Sequence, residues 1–93
     1  MIAPDLNPRL ASKARLRYDR HGDRHMLLYP EKGLALNPTA TEIVKLCTGE
    51  LTVREIVSNL AARYDETPIE KLTQEVYGFL EALRTRGLLE EAP

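Results

Sequence analysis

The chain has 93 residues, 43% hydrophobic and 29% charged, so it is expected to fold as one small domain with a single core. A net charge of −1 and a pI near 6.1 disfavour a general nucleic-acid binder, whose domain pI would lie above about 9. No apolar stretch reaches the roughly 18 residues of a membrane span, and residues 1–12 hold no signal-peptide core, so we expect a cytoplasmic protein with no membrane contact.

Charge is distributed unevenly along the chain. Residues 1–25 contain six basic and three acidic residues, whereas residues 26–93 contain seven basic and eleven acidic residues. Two solvated faces are the simplest interpretation of this asymmetry. A surface that steers a charged partner is the alternative.

Neither the cysteine nor the histidines form a chemical motif. Cys47 is the only cysteine, lies on the apolar side of a predicted helix and has no base nearby, so we expect a small buried hydrophobe. His21 and His25 flank the turn residues Gly22 and Asp23, and no second ligand pair completes a tetrahedral metal site. We therefore expect no enzyme activity, no catalytic residues, no metal and no cofactor.

The N-terminal segment is predicted to be irregular. Pro4 and Pro8 disfavour a helix, so residues 1–12 are expected to be loose and partly extended. We divide the chain into a flexible arm over residues 1–7 and a single domain over residues 8–93.

Three short strands are predicted next. Apolar and polar residues alternate over 14–19, which is the period of a half-buried strand, and residues 25–29 and 33–36 follow as the second and third strands. Pro30 presets the turn between the last two strands, and Gly33 is expected to relieve strain at the exit of that turn.

The hydrophobic period then changes to that of a helix. Asn37 is expected to cap the first helix, with Pro38 in its first position and Gly49 closing it. The segment Thr52–Glu55 has the sequence of a capping box, and an apolar stripe continues from it to Tyr64.

A third helix is predicted after a second capping box, Thr67–Glu70, with Pro68 in the first helical position. Gly87 is expected to end this helix. The expected fold class is α+β, a winged helix-turn-helix-like arrangement of a three-stranded antiparallel sheet followed by three helices.

The third strand, over residues 33–36, carries the main functional signal. It is short and apolar, and at a sheet edge its unpaired N–H and C=O groups could bind an extended peptide. A DNA-binding winged-helix protein is the alternative, although Asp65, Glu66 and Glu70 would repel phosphates at the start of the recognition helix. Self-association through the same edge, which would give a homodimer, is a third interpretation.

Several runs of residues form a pattern that is more specific than the hydrophobic period. They are Leu27-Leu28-Tyr29-Pro30-Glu31, Gly33-Leu34-Ala35-Leu36-Asn37, Ala40, Glu42-Ile43, Cys47, Gly49, Thr52-Val53 and Glu55-Ile56-Val57. Together they resemble the PqqD family, the small protein D of pyrroloquinoline quinone (PQQ) biosynthesis. The resemblance extends from about Pro8 to Leu89.

The resemblance implies a non-catalytic peptide chaperone. Members of this family bind the precursor peptide PqqA and present it to the radical SAM enzyme PqqE, which crosslinks a Glu to a Tyr of the peptide. Their fold is a RiPP recognition element, in which the leader peptide adds a strand beside the third β-strand, in a groove walled by the third helix. Carried onto this sequence, the resemblance implies peptide-binding residues in the third strand (Gly33, Leu34, Ala35, Leu36) and in the third helix (Leu72, Val76, Tyr77, Leu80).

Overall fold

The computed structural model describes residues 2–92; Met1 and Pro93, the outer ends of the predicted arm and domain, lie outside the described residues. In chain order the elements are β1 (Pro8–Leu10), β2 (Arg15–Asp19), β3 (Arg24–Tyr29), β4 (Lys32–Leu36), α1 (Pro38–Leu46), α2 (Val53–Arg63), α3 (Ile69–Thr85) and β5 (Leu89–Glu91).

The main sheet is antiparallel and has the strand order β2-β3-β4. The predicted α+β fold, with a three-stranded sheet followed by three helices, is confirmed. Leu27 of β3 lies opposite Leu16 of β2 and Leu34 of β4. Leu27 is fully buried, so these three side chains mark the sheet face that packs on the core.

The hairpin between β3 and β4 has a two-residue turn. Tyr29 lies opposite Lys32, and Pro30 and Glu31 connect them. Glu31 has a φ of 63°, as the second central residue of a type II turn requires. The prediction that Gly33 relieves the turn is wrong, because Gly33 already lies within β4, opposite Leu28.

A second sheet, which the sequence analysis did not predict, joins the two ends of the domain. β1 pairs antiparallel with β5, and the Arg9 and Glu90 side chains form an ion pair of 3.1 Å across it. On its other side β1 receives a hydrogen bond from the backbone N–H of Gly49 to the carbonyl of Pro8, at 2.9 Å. The segment 8–12, expected to be loose, is therefore partly a paired strand.

The residues before β1 contact the start of α2. Ile2 is buried in the core, and the carbonyls of Leu6 and Pro4 accept hydrogen bonds from the backbone N–H groups of Val53 and Arg54. These bonds satisfy donors that a helix N-terminus leaves free. The division of the chain into an arm over residues 1–7 and a domain stays a prediction.

Both predicted N-terminal caps of the first two helices are confirmed. The Asn37 side chain accepts a hydrogen bond of 2.7 Å from the backbone N–H of Ala40. In α2 the Thr52 hydroxyl accepts from the N–H of Glu55 while the Glu55 carboxylate accepts from the N–H of Thr52. α1 ends earlier than predicted, with Cys47 as its C-cap.

The second predicted capping box, at the start of α3, is wrong. Pro68 has a ψ of 139°, so it is extended and acts as the N-cap, and no side chain of the described residues caps this helix end. Thr67 is consequently outside the helix, where its N–H is bonded to the carbonyl of Tyr64.

Gly87 ends α3, as predicted. Its φ of 72° is left-handed, its N–H donates to the carbonyl of Arg84, and the N–H of Leu88 donates to the carbonyl of Leu83. These two bonds form a Schellman motif, which fixes the position of Arg86 at the end of the helix.

The core lies between the sheet and the three helices. Its fully buried members come from every layer and include Leu27, Ile43, Val53, Ile56, Leu60, Val76, Leu80, Leu83 and Leu88. None of the helices within residues 2–92 combines the length and apolar character that crossing a bilayer requires.

We expect Asn37→Ala to lower the free energy of unfolding by about 1 kcal/mol, because the Ala40 N–H loses its capping partner. Urea denaturation followed by circular dichroism measures the change. Asn37→Ser is the matched control, since serine keeps a capping oxygen; equal stability of the two variants would contradict the cap.

Candidate functional site

Among residues 2–92, β4 pairs with β3 alone, so its other edge is open. In a tight β-turn the first and fourth residues are hydrogen-bonded, so Tyr29 and Lys32 form the closing bonded pair. Bonded and non-bonded pairs alternate along antiparallel strands. The backbone N–H and C=O groups of Gly33 and Ala35 therefore point away from β3, toward the open edge.

The side chains of β4 alternate between two environments. Gly33 and Ala35 are exposed on the outer face, whereas Leu34 is half-buried and Leu36 is only 5% exposed on the core face. The edge thus offers backbone groups from two small residues, with apolar side chains directly beside them.

α3 approaches residues next to the two ends of β4, in β3 and in the segment that follows β4. Near the start of β4, the Arg86 guanidinium lies 3.4 Å from the Tyr29 hydroxyl. Near the end of β4, a cavity of about 190 Å³ separates α1 and α3; it is lined by Asn37, Thr39, Ala40, Ile43, Glu75 and Phe79.

These two points give the direction and length of a groove. From residue 75 to residue 86 an α-helix rises about 16 Å, and from residue 32 to residue 37 a strand rises about the same distance. α3 therefore runs antiparallel to β4. We call the space between the two elements the candidate groove, and its length corresponds to about five residues of extended chain.

One stripe of α3 faces this groove. Glu75 and Phe79 line the cavity and Arg86 contacts Tyr29. The spacing of 75, 79, 82 and 86 places these positions on one helix face. Ala82, the fourth member, is exposed, and its side chain is a single methyl group, so the middle of this face is apolar and leaves room beside it.

The predicted α3 residues lie elsewhere on the helix. Leu72, Val76 and Leu80 are between 0% and 2% exposed and belong to the core. Tyr77 lines a different cavity, between α2 and the N-terminal segment, with Pro4 and Val57. The predicted strand residues and the predicted helix residues are therefore not brought together as one exposed surface.

Glu75, Phe79 and Arg86 were not among the site residues predicted from the sequence. Phe79 fits the apolar stripe of α3 by its spacing, three residues after Val76, so the sequence pattern indicates a core residue. In the structure Phe79 packs against the core but is only half-buried, which the pattern alone does not reveal.

The other free edge of the sheet belongs to β2 and differs in charge. Arg15, Arg17 and Asp19 alternate along β2, whereas Lys32 is the only charged residue of β4. Charged side chains protect an edge strand from pairing with another chain. Of the two edges, β4 is the one suited to accept a strand.

The titratable groups do not form a reactive centre in the described part of the chain. Burial raises the pKa of the Cys47 thiol to about 12, so the thiol is protonated near neutral pH. The hydrogen bond to Asp23 raises the pKa of Tyr18. Within residues 2–92 no three His, Cys, Asp or Glu side chains converge on a common point, and the absence of a bound metal stays a prediction.

The chain is similar in sequence to proteins of PQQ synthesis. A family model described as "Coenzyme PQQ synthesis protein D (PqqD)" matches residues 24–89. A PqqA binding protein of Bradyrhizobium diazoefficiens is 36% identical over 85 residues, which cover 91% of this chain and 82% of the relative. A PqqA binding protein of Pseudomonas aeruginosa is 35% identical over 92 residues, which cover 97% and 98%.

Two solved structures have a similar fold. The PqqD truncation of Methylobacterium extorquens PqqCD, described as a stand-alone RiPP recognition element, is 30% identical with a TM-score of 0.82 and covers 97% of this chain and 95% of its own. TbiB1, solved with the TbiA(beta) leader peptide, is 21% identical with a TM-score of 0.73 and covers 88% and 94%.

We expect native Cys47 to react with Ellman's reagent at least about tenfold more slowly at pH 8 than the urea-unfolded chain, because the folded thiol is buried and protonated. Since the unfolded thiol ionises near pH 9 and the folded one near 12, the free energy of unfolding also falls as pH rises above 9. Fast native labelling would contradict this burial.

The edge geometry predicts different costs for proline at neighbouring positions of β4. Leu34→Pro removes an N–H that bonds β3, whereas Ala35→Pro removes one that faces the open edge. We expect Leu34→Pro to lower the free energy of unfolding by about 1–3 kcal/mol more than Ala35→Pro. Thermal or urea denaturation measures the difference. The opposite ranking would show that the Ala35 N–H bonds β3 and the Leu34 N–H faces the open edge.

Proposed function

The chain belongs to the PqqD family, and on that premise we propose that it is a non-catalytic chaperone of PQQ biosynthesis. It binds a PqqA-like precursor peptide as an added strand along β4 and presents it to a PqqE-like radical SAM enzyme. The observation that carries the proposal is the open edge of Gly33–Leu36, which has no charged side chain and has α3 near both of its ends.

Strand addition suits a flexible peptide partner. The outward N–H and C=O groups of Gly33 and Ala35 bind the peptide backbone, so affinity needs few particular side chains. Alternate peptide side chains then point into the groove, where the cavity beside Phe79 and Ile43 accepts an apolar group.

The residues named from the resemblance take distinct parts in this proposal. Gly33 and Ala35 supply the backbone bonds, while Leu34 and Leu36 form the apolar side of the strand. Because Leu72, Val76 and Leu80 are buried, they contribute by holding α3 in place rather than by touching the peptide. Tyr77, on another face of α3, lines a separate cavity with Pro4 of the N-terminal segment and has no part in the proposed peptide contact.

A binding role without catalysis agrees with the relatives and with the chemistry. The relatives are named as binding proteins. In this chain the one thiol is buried with its pKa at about 12, which makes it a poor nucleophile.

The charges at the start of α3 disfavour DNA as the partner. Asp65, Glu66 and Glu70 are all exposed there. Negative charge at the N-terminus of a recognition helix opposes contact with phosphates. Peptide binding through backbone bonds also predicts a weak dependence on salt, whereas binding to DNA weakens steeply as salt is added.

The experiment titrates the ¹⁵N-labelled protein with a synthetic PqqA peptide from the same organism, followed by NMR and by calorimetry. We expect amide shifts concentrated in residues 33–37 and 75–86, because these bound the groove. Ala35→Pro should weaken binding about tenfold or more, since it removes an outward donor at the centre of the site.

The matched control is Tyr18→Pro, which removes an outward N–H from the other free edge, β2. It should leave the affinity unchanged. Each variant must first show a near-native circular-dichroism spectrum and melting temperature. Shifts confined to residues 9–24, or equal losses in the two variants, would contradict strand addition to β4.

A further inference from the structure

We infer that Arg86 and Lys32 form a carboxylate-binding site at one end of the groove, which takes an acidic side chain of the bound peptide. This inference rests on the proposed function, since it assigns part of the peptide's chemistry to the same groove.

Two cations lie near one phenol at the start of β4. Tyr29 and Lys32 lie opposite each other in the register and so point to the same face of the sheet. The Arg86 Nη1 atom, which comes from α3, lies 3.4 Å from the Tyr29 hydroxyl. Arg86 therefore contacts Tyr29 from the helix, and Lys32 is the cross-strand neighbour of the same residue.

Both cations are available to a ligand. Lys32 and Arg86 are exposed, and within residues 2–92 neither forms an ion pair, although Glu31 lies next to Lys32 in the turn. Arg84, two residues before Arg86, differs in this respect because it is ion-paired with Glu81. A guanidinium and an ammonium that flank one space are suited to a carboxylate.

The backbone holds Arg86 in this position. The Schellman motif at Gly87 and Leu88 ends α3 directly after Arg86, and Leu88 is fully buried. The hydrogen bond from Arg86 to the Tyr29 hydroxyl joins this end of the helix to the β3–β4 turn. A site held by a helix end and a hairpin loses little conformational entropy when it binds.

The other end of the groove has the opposite charge. Glu75 lines the cavity at the end of β4 and, within residues 2–92, has no ion-pair partner. An acidic peptide residue is therefore attracted at the Arg86 end and repelled at the Glu75 end. The charge pattern would thus set the position of the peptide along β4, which backbone bonds alone leave free to slip.

The test measures the affinity of the synthetic PqqA peptide from the same organism for Arg86→Gln, Lys32→Gln and the matched control Arg84→Gln. We expect Arg86→Gln and Lys32→Gln each to weaken binding about threefold to tenfold. Each substitution removes one partner of a charge pair that is exposed or partly desolvated, and losses of this size are usual for such pairs. In these two variants the affinity should also depend less on salt concentration than it does in the wild-type protein. Arg84→Gln, which carries the same charge change near the same helix end, should leave the affinity unchanged.

A second arm identifies the carboxylate on the peptide. Each Glu and Asp of the peptide is replaced in turn by Gln or Asn and measured against the wild-type protein and Arg86→Gln. One of these peptide replacements should weaken binding to the wild-type protein but not to Arg86→Gln. Such non-additivity indicates that the replaced residue and Arg86 interact directly. Glu75→Gln should not weaken binding.

The outcomes separate the two proposals. If the wild-type protein binds the peptide and Arg86→Gln binds as tightly as Arg84→Gln, the carboxylate site is wrong and strand addition stands. If Arg86→Gln weakens binding but couples to no acidic residue, the carboxylate site is also wrong. If the wild-type protein does not bind the peptide, the proposed function fails and the carboxylate site fails with it.

Discussion

The hydrogen-bonded pair of Tyr29 and Lys32 sets the register of the β3–β4 hairpin, and the candidate site depends on that register. It turns the backbone groups of Gly33 and Ala35 to the open edge and places Leu34 opposite the buried Leu27. A slip by one residue would expose the core side of β4 and exchange the bonded and free backbone groups. The positive φ of Glu31, which a two-residue type II turn demands, is the local strain that accompanies this register.

The surface of α3 has a buried stripe and a more exposed stripe, and the second of these faces β4. The stripe that contains Val76, Leu80 and Leu83 is buried completely, which fixes the rotation of the helix about its axis. Residues 75, 79, 82 and 86 are then carried to the side that faces β4. Core packing therefore decides which side of α3 faces β4, and it leaves Glu75, Ala82 and Arg86 exposed on that side.

Local patterns in the sequence predicted most of the fold. The alternation over residues 14–19, the caps at Asn37 and Thr52 and the end of α3 at Gly87 all depend on residues a few positions apart, and the structure has them. The pairing of β1 with β5 was missed because it joins three-residue strands from opposite ends of the chain, and no local pattern encodes such a contact. The face of α3 with Glu75 and Arg86 was not singled out from the sequence, because apolarity at helical spacing reports burial rather than binding.

The contrast between the two free edges links the fold to the function. A three-stranded sheet has two unpaired edges, each able to template aggregation. β2 carries alternating charges, which oppose pairing with another chain, while β4 keeps small and apolar residues at its centre. The exposed edge of β4 is a liability for an isolated protein and a binding surface for one that carries a peptide. A chain that protects one edge and leaves the other open has the asymmetry that a strand-binding chaperone requires.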